Sequence, residues 1–554
     1  MDSARIVATV IFVGSLVLLG DAWLKENQEN TVTNPAPITA EEAASSVPLP
    51  TVKEVNKAQS SPELSVPSPR ANKEMQQIVT IKTDLLNVLI DLKGAGIKEL
   101  TLLEHHAKEN KDNPLRLFES GVGRTYVAET GLIGDKLPTH NEIFTSSQSD
   151  YSLSEGEDSI TVIFSHSNDS HYVEKKYSFY RGSYALDVDY KVVNTGPSPL
   201  SVNAYFQLIR DGGAADGDTR LQPTYTGAAI YTDESKFTKV DFKDMDRGKV
   251  EYPKVANDGW AAFVQHYFVA AWLPDEGASR EYFTRALPNN LYAIGFINTE
   301  TLQLNSGDEG EFSARLYAGP QEQRVLKELA PGFDLVVDYG WLTIIASPLF
   351  WLLSKLHNFV GNWGWSIVLL TIIIKLVFFP LSAAGYKSMA KMRVLSPRLK
   401  ALKETYGDDK QKFQQAMMDL YRKEKINPLG GCFPILVQIP FFIALYWVLL
   451  ASVELRDAPF IFWITDLSAK DPYYVLPILM SASMVAQSWL SPAPPDPVQA
   501  KVMKIMPFVF SIFFFFFASG LVLYWLVNNI LSIAQQWTIT RAIERNKPTN
   551  GQKR

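Results

Sequence analysis

WSIVLLTIIIKLVFFPL, residues Trp365–Leu381, is apolar and long enough to cross a bilayer, yet it carries Lys375 near its middle. Inserting an ionisable side chain at that depth costs about 2.5–3.5 kcal/mol. Ionisable residues inside spans usually face a protein interior or a wet cavity and have a functional role. The stretch therefore predicts a membrane protein with a functional site around Lys375.

The rest of the 554-residue chain has apolar ends and a polar middle, with a net charge of −6. Residues 1–24 contain the apolar run Ile6–Leu19, which we interpret as an uncleaved membrane anchor with a cytoplasmic N-terminus. Cleavage near Ala22 is the alternative, although the surrounding residues fit a signal-peptidase site poorly. Residues 25–77 are rich in Pro, Ser, Ala and Glu, which predicts a disordered tether. Cys432 is the only cysteine, so no internal disulfide is possible.

From Ile78 to about Gly319, apolar residues alternate with polar ones, as in strands with one buried face. Ser159–Phe164 and Tyr184–Tyr190 are examples, and clusters of Gly, Asn, Asp and Pro separate such runs. The pattern predicts a large all-β domain over residues 78–320, built from two packed sheets. Its scattered histidines suggest no metal cluster, and no nucleophile–base pattern is visible. An active site of the sugar-processing kind remains an alternative that rests on analogy of fold alone.

Two further segments flank the Lys375 span. Residues 321–364 are predicted to be a connector and a helix lying in the membrane interface, because Trp341–Val360 is apolar on one side. Residues 382–431 have helical periodicity, a break with an N-cap at Gly407–Asp409, and more basic than acidic residues. The positive-inside rule therefore places this predicted helical hairpin in the cytoplasm.

The remaining apolar runs predict further spans. As one helix, the last run, Val502–Thr540, would reach about 58 Å, about twice the hydrocarbon thickness. Basic residues flank both its ends, so we expect it to fold back near Ser519–Gly520. The predicted architecture is thus a membrane α-helical bundle of six spans, with both termini cytoplasmic, plus a periplasmic β domain. Its segments are the anchor 1–24, the tether 25–77, the β domain 78–320, the connector 321–364, span 2 at 365–381, the hairpin 382–431, span 3 at 432–453, span 4 at 473–490, span 5 at 503–519, span 6 at 520–540 and a basic cytoplasmic tail at 541–554.

Polar residues recur at helical spacing on several of these spans. They are Thr371 and Lys375 on span 2, Gln438 on span 3, Ser483 and Gln487 on span 4, and Tyr524, Asn528, Ser532 and Gln535 on span 6. Such side chains normally face a bundle interior or a wet cavity, which predicts a hydrophilic groove with Lys375 as its formal charge. Two plainer interpretations stay open. The polar side chains can serve only as contacts between helices, and Lys375 can snorkel to a membrane edge roughly 10 Å away.

Several residue types are absent from the predicted spans, and their absence disfavours some classes of membrane protein. Spans 2 to 6 contain no Asp or Glu, which disfavours a proton- or cation-coupled transporter. No His or Asp accompanies their serines, which disfavours a membrane protease, and the chain has no P-loop motif. Two classes remain: a device that binds and translocates apolar segments with few polar or acidic groups, and an anion channel or carrier that uses Lys375. A channel needs charges from several helices, so the single lysine and the basic hairpin favour the first class.

Several motifs also carry a family resemblance. They are Asn427–Pro440 (NPLGGCFPILVQIP), Tyr386–Arg393 (YKSMAKMR), Ser519–Trp525 (SGLVLYW) and, in the β domain, Trp260–Pro274. Together they resemble the YidC membrane protein insertases of Gram-negative bacteria, over essentially the whole chain except the tether. The resemblance implies a five-helix core with a positively charged groove open to the cytoplasm and the lipid, and a periplasmic β-supersandwich.

The same resemblance implies what the chain does. It would insert and fold proteins of the bacterial inner membrane, without catalytic residues, cofactor or metal. The implied partners are nascent inner-membrane proteins, the lipid bilayer, the Sec translocon and, through the hairpin and basic tail, the ribosome. The predicted groove residues are Lys375, Thr371, Gln438, Tyr524, Trp525 and Asn528. The groove charge is often Arg in this family, and Lys375 cannot make the planar fork of a guanidinium.

Overall fold

The computed structural model describes residues 78–107, 113–121, 123–215, 224–275, 277–406, 409–424, 433–490 and 497–545. The predicted anchor and tether lie outside these residues, as do the end of the hairpin, Cys432 and most of the basic tail. The chain separates into two compact units whose boundary falls between Asp338 and Tyr339.

The first unit is a β domain, as the alternating pattern predicts. Its strands are β1 Ile78–Lys82, β2 Leu86–Asp91, β3 Gly96–His106, β4 Pro114–Gly121, β5 Arg124–Ile133, β6 Thr145–Ser146, β7 Asp150–Ser152, β8 Ser159–Ser167, β9 His171–Tyr180, β10 Ala185–Asn194, β11 Leu200–Asp211, β12 Gly227–Thr232, β13 Lys236–Val240, β14 Val255–Ala256, β15 Trp260–Gln265, β16 Phe268–Pro274, β17 Arg280–Leu287, β18 Leu291–Asn298, β19 Leu302–Leu304 and β20 Glu309–Pro320. Two short helices accompany them, α1 Phe242–Asp246 and α2 Gln323–Leu329.

The strands form two sheets whose inner faces pack together. One sheet has the order β14-β17-β18-β11-β5-β4-β3-β2-β1-β7, with β19 beside β11, and the other has the order β13-β12-β15-β16-β20-β10-β9-β8-β6. Phe206 of the first sheet meets Trp272 of the second edge-on, with ring centroids 5.2 Å apart. Both side chains are fully buried, so large aromatic residues supply much of the apolar area between the sheets. The all-β domain is confirmed.

Ionisable side chains also lie between the sheets. Lys175 is fully buried, and its ammonium donates to the backbone oxygens of Gly94 and Ala95 at 3.0 and 2.8 Å. Burial holds the pKa of Lys175 well below its usual range. Nearby, the ring of His140 is 2.6 Å from the hydroxyl of Tyr205, and burial lowers the pKa of His140. These contacts satisfy polar groups that would otherwise destabilise the core.

His171 makes the β domain sensitive to acid. Its side chain is buried beside His166, and Nε2 has no hydrogen-bond partner among the described residues. Burial, with His166 adding to it, lowers the pKa of His171 to about 4.

We therefore expect the β domain to lose stability as the pH falls below about 6.5, the usual pKa of an unfolded histidine. Below that pH the histidine is protonated in the unfolded chain but not in the folded one. The free energy of unfolding therefore falls by up to about 1.4 kcal/mol per pH unit for each such histidine. Amide hydrogen exchange of β9 and β10 in the full-length protein, corrected for intrinsic rates, measures the slope. His171→Gln should make the slope shallower. Equal protection at pH 7 and pH 5 in the unsubstituted protein would contradict the assignment.

The second unit is helical. Its helices are α3 Thr343–Val360, α4 Trp363–Val377, α5 Phe379–Tyr406, α6 Lys410–Lys423, α7 Phe433–Ala451, α8 Val475–Leu490, α9 Pro497–Phe514 and α10 Ser519–Arg545. α10 packs against α4, α5, α7 and α8, so it is the central helix of this unit. No single described helix is both long and apolar enough to qualify as a span. α4 and the first part of α5, Phe379–Met392, qualify together as a pair bent by 67°.

The bend between α4 and α5 differs from the single straight segment expected over residues 365–381. α4 ends at Val377, and α5 begins at Phe379 with Pro380 in its first turn. Proline has no N–H to donate, and at the start of a helix that N–H would have no partner within the helix, so Pro380 suits the beginning of α5. The predicted break at Asp409 is also present, because its carboxylate accepts from the N–H groups of Gln411 and Lys412 at the start of α6.

The loop of residues 452–474 is hydrogen-bonded to the N-terminal ends of α4 and α10. The side chain of Asn362 caps α4 and also donates to the backbone oxygens of Pro459 and Phe460, both at 3.1 Å. The N–H groups of Ser519 and Gly520, which begin α10, donate to the loop at 2.7 and 2.8 Å. The loop therefore connects the N-terminal ends of α4 and α10.

Candidate functional site

Lys375 lies in the last turn of α4 and faces the interior of the helical unit, with 5% of its surface exposed. Its ammonium donates to the hydroxyl of Ser532 on α10 at 2.8 Å. Among the described residues, no acidic side chain forms an ion pair with it. The lysine is therefore buried with a neutral partner, and its charge is not compensated within this part of the chain.

Further polar side chains extend the contact across α10. Ser532 donates to the backbone oxygen of Asn528 at 2.7 Å, and the amide of Gln438 on α7 donates to Asn528 Oδ1 at 3.3 Å. The hydroxyl of Tyr386, on α5, lies close to Ser532. Side chains from α4, α5, α7 and α10 thus form a polar group near Lys375, and Ser532 is the member that hydrogen-bonds its ammonium.

A second row of polar contacts joins α10 to α8. Asn529 donates to the hydroxyl of Ser483 at 2.8 Å, and Gln536 donates to the backbone oxygen of Leu490 at 3.1 Å. Asn529 and Gln536 are buried. They connect α10 to α8, which is the interhelical role that polar side chains often have in membranes.

The aromatic residues predicted for the site form a cluster further along α10. Trp525 stacks on Phe442 of α7 with the ring planes 3° apart, and Phe514 meets it edge-on at 4.5 Å. The indole N–H of Trp525 is buried and has no acceptor among the described residues. Tyr524 lies 5.4 Å from the ring of Phe442. A single turn of α10 thus joins an apolar aromatic wall to the polar group that contains Asn528.

The structure brings together some of the predicted residues and separates others. Lys375, Asn528 and Gln438 are connected through Ser532, whereas the hydroxyl of Thr371 is bonded within its own helix, to the oxygen of Ile367 at 2.7 Å. Ser532 belongs to the polar stripe that helical spacing predicts on span 6, although it is not among the six predicted groove residues. Tyr386 was not predicted as a site residue.

Comparisons with known proteins match the chain in two adjoining parts. The family described as YidC periplasmic domain matches residues 78–352, and the family described as 60Kd inner membrane protein matches residues 355–547. A relative from Aromatoleum aromaticum named membrane protein insertase YidC is 52% identical over 553 residues, which is 99% of each chain. A relative of the same name from Nitrosospira multiformis is 50% identical over 565 residues, or 98% of each chain.

A solved structure of an active YidC insertase is similar over 83% of this chain and 92% of its own, at 21% identity and a TM-score of 0.41. The sequence matches define the class, an inner-membrane insertase with a periplasmic-type β domain and no enzymatic activity. The chain belongs to the YidC family of membrane protein insertases. The resemblance seen in the sequence motifs is confirmed.

Proposed function

We propose that the polar group around Lys375 lines a hydrophilic groove through which this chain inserts inner-membrane proteins. One observation carries the proposal: a buried ammonium whose described partners are neutral. A charge in that state attracts carboxylates from outside the chain, because opposite charges attract strongly where water is excluded. The substrate class is a nascent membrane segment with a short polar or acidic flank.

The aromatic cluster supports the second half of the mechanism. Tyr524 and Trp525 lie about one turn of α10 from Asn528, so a segment leaving the polar group meets apolar rings next. The groove shortens the stretch of hydrocarbon that the polar flank of a substrate must cross. The hydrophobic effect then moves the apolar part of the substrate sideways into lipid.

The proposed topology has six spans, with the β domain in the periplasm and both termini in the cytoplasm. Basic residues outnumber acidic ones over residues 382–431, which includes α6 and most of α5, and this supports a cytoplasmic position for the hairpin. The Sec translocon is a proposed partner for larger substrates.

The hairpin is also the proposed contact for the ribosome or the substrate. We expect deletion of residues 401–421 to reduce co-translational insertion several-fold while leaving the protein in the membrane. The control is Arg398→Ala, which removes the ion pair with Glu424 at 2.6 Å. Both side chains of that pair are exposed to solvent, so its loss should cost no more than about 1 kcal/mol of stability. Full insertion by the deletion variant would rule out the hairpin contact.

Reconstitution in liposomes tests the function against its nearest alternative, an anion channel. The purified chain is mixed with lipid, and insertion of a small single-span substrate is followed by protease protection while chloride flux is recorded in the same vesicles. We expect protected substrate without flux above that of empty vesicles. Flux without insertion would overturn the proposal in favour of the channel.

A further inference from the structure

The hydrogen bond between Lys375 and Ser532 has a defined direction. Ser532 has one hydroxyl hydrogen, and it donates that hydrogen to the backbone oxygen of Asn528 at 2.7 Å. Its oxygen is therefore left to accept from the ammonium of Lys375 at 2.8 Å. Ser532 therefore binds one of the three N–H donors of the ammonium and leaves its charge uncompensated, since a hydroxyl carries no charge.

We propose that Ser532 is a specificity-determining residue: its neutral hydroxyl stabilises the buried ammonium of Lys375 only in part, and so it sets how acidic a substrate flank must be. The inference rests on the proposed function of the groove and adds a threshold for the number of acidic residues that a substrate flank must carry. The other two N–H donors of Lys375 have no acceptor among the described residues, and an amide or hydroxyl from a neutral flank adds a bond no better than that of Ser532. A carboxylate adds more, because its charge is opposite to that of the ammonium.

The position of Ser532 suits this role better than the positions of its polar neighbours. It is buried, and besides Lys375 of α4 it also contacts Tyr386 of α5, so it lies where two helices meet α10. Asn529 and Gln536 are equally buried on α10, but they are bonded to α8. Only the Ser532 hydroxyl is within hydrogen-bond distance of the ammonium among the described residues.

Two substitutions should move the threshold in opposite directions. Ser532→Asp supplies a permanent counter-ion, so we expect the preference for acidic flanks to fall about tenfold. Ser532→Ala removes this partial stabilisation, so the ammonium gains more from a single carboxylate, and a flank with one acidic residue should insert about threefold better and approach the yield of a flank with two. General damage to the bundle would lower both yields and would not produce opposite shifts.

The experiment uses the full-length chain in liposomes and three versions of one single-span substrate, with zero, one or two acidic residues in the flank. The readout is the ratio of protected product between versions, which cancels differences in the amount of active protein. Ser483→Asp is the matched control, because it also adds a carboxylate inside the unit, but at the hydroxyl that binds Asn529. The control should keep the ratios of the unsubstituted protein.

Failure of the inference can be told apart from failure of the proposed function. If Lys375→Ala leaves the preference for acidic flanks unchanged, the electrostatic groove itself is wrong. If Lys375→Ala abolishes the preference while Ser532→Asp and Ser532→Ala both keep the original ratios, the groove stands and the role of Ser532 is overturned. If Ser532→Asp does not fold, the Ser532→Ala ratios decide alone: a shift towards weaker flanks supports the inference, and unchanged ratios refute it.

Discussion

Lys375→Glu is expected to reduce insertion of a single-span substrate with an acidic flank by about 100-fold, the largest functional effect of any single substitution in the chain. The change replaces attraction by repulsion at a buried site, where two unit charges 4 Å apart interact by about 4 kcal/mol at an intermediate effective dielectric. Lys375→Arg keeps the charge and should retain insertion within about threefold. Lys375→Ala should fall between them, because it removes the attraction without adding repulsion.

The matched control for this series is Lys355→Glu. Lys355 lies on the exposed side of α3, so reversing its charge alters the net charge equally but leaves the groove untouched. Protease protection of the substrate in liposomes measures all four variants. Insertion by Lys375→Glu at the level of Lys355→Glu would show that the buried charge does not act on the substrate. A substrate without acidic residues should be far less sensitive to the whole series.

Helical spacing in the sequence was enough to identify most of the polar group. A period of four residues links Asn528 to Ser532, and Lys375 stands out because a charge in an apolar run is costly. Spacing cannot say which faces of different helices meet. The bond between Lys375 and Ser532 joins residues 157 positions apart, and such a pairing follows from tertiary packing, which single-chain periodicity does not encode. Asn529 shows the same limit, because it is adjacent to Asn528 yet bonds a different helix.

The β domain has a comparable limit. Alternation located its strands because period two is a local property of the backbone. It did not reveal that Lys175 points into the core, since Lys175 and Lys176 are neighbours and only the register of β9 decides which one is buried. In the structure Lys175 takes the inward position and Lys176 pairs with Asp189 at 2.9 Å on the outside. A shift of one residue would exchange them.

Asp471→Ala is expected to cause the largest loss of stability in the helical unit, about 3–5 kcal/mol. The carboxylate of Asp471 is 2% exposed and accepts three hydrogen bonds. They come from the indole N–H of Trp463 at 2.9 Å, the N–H of Tyr473 at 3.0 Å and the N–H of Leu476 at 2.7 Å. Removing the carboxylate leaves three donors without acceptors, and the buried one, the N–H of Leu476, is in the first turn of α8, where a negative charge is also favoured by the helix dipole.

Asp471→Asn separates the charge from the hydrogen bonds. The amide is the same size but has one acceptor oxygen, so it can serve Trp463 and Tyr473 only by turning its NH₂ group towards the N–H of Leu476. We expect a loss of about half that of the alanine variant, measured by chemical unfolding in detergent. Asp457→Asn is the control in the same loop, because Asn tolerates the left-handed backbone of that residue, with φ of 54°. Its carboxylate is partly exposed beside Arg456 at 3.9 Å, so neutralising it should cost no more than about 1 kcal/mol.

The same variant tests whether the loop supports the groove. α8 carries Ser483, which binds Asn529, and α10 carries both Asn529 and Ser532. If the start of α8 loosens, amide exchange should rise first at residues 476–480, and the position of α10 relative to Lys375 should become less defined. Insertion would then fall along with stability, even though Asp471 touches no groove residue. Faster exchange at α8 with unchanged insertion would instead show that the contacts of α10 with α4 and α7 suffice to hold the Lys375 site.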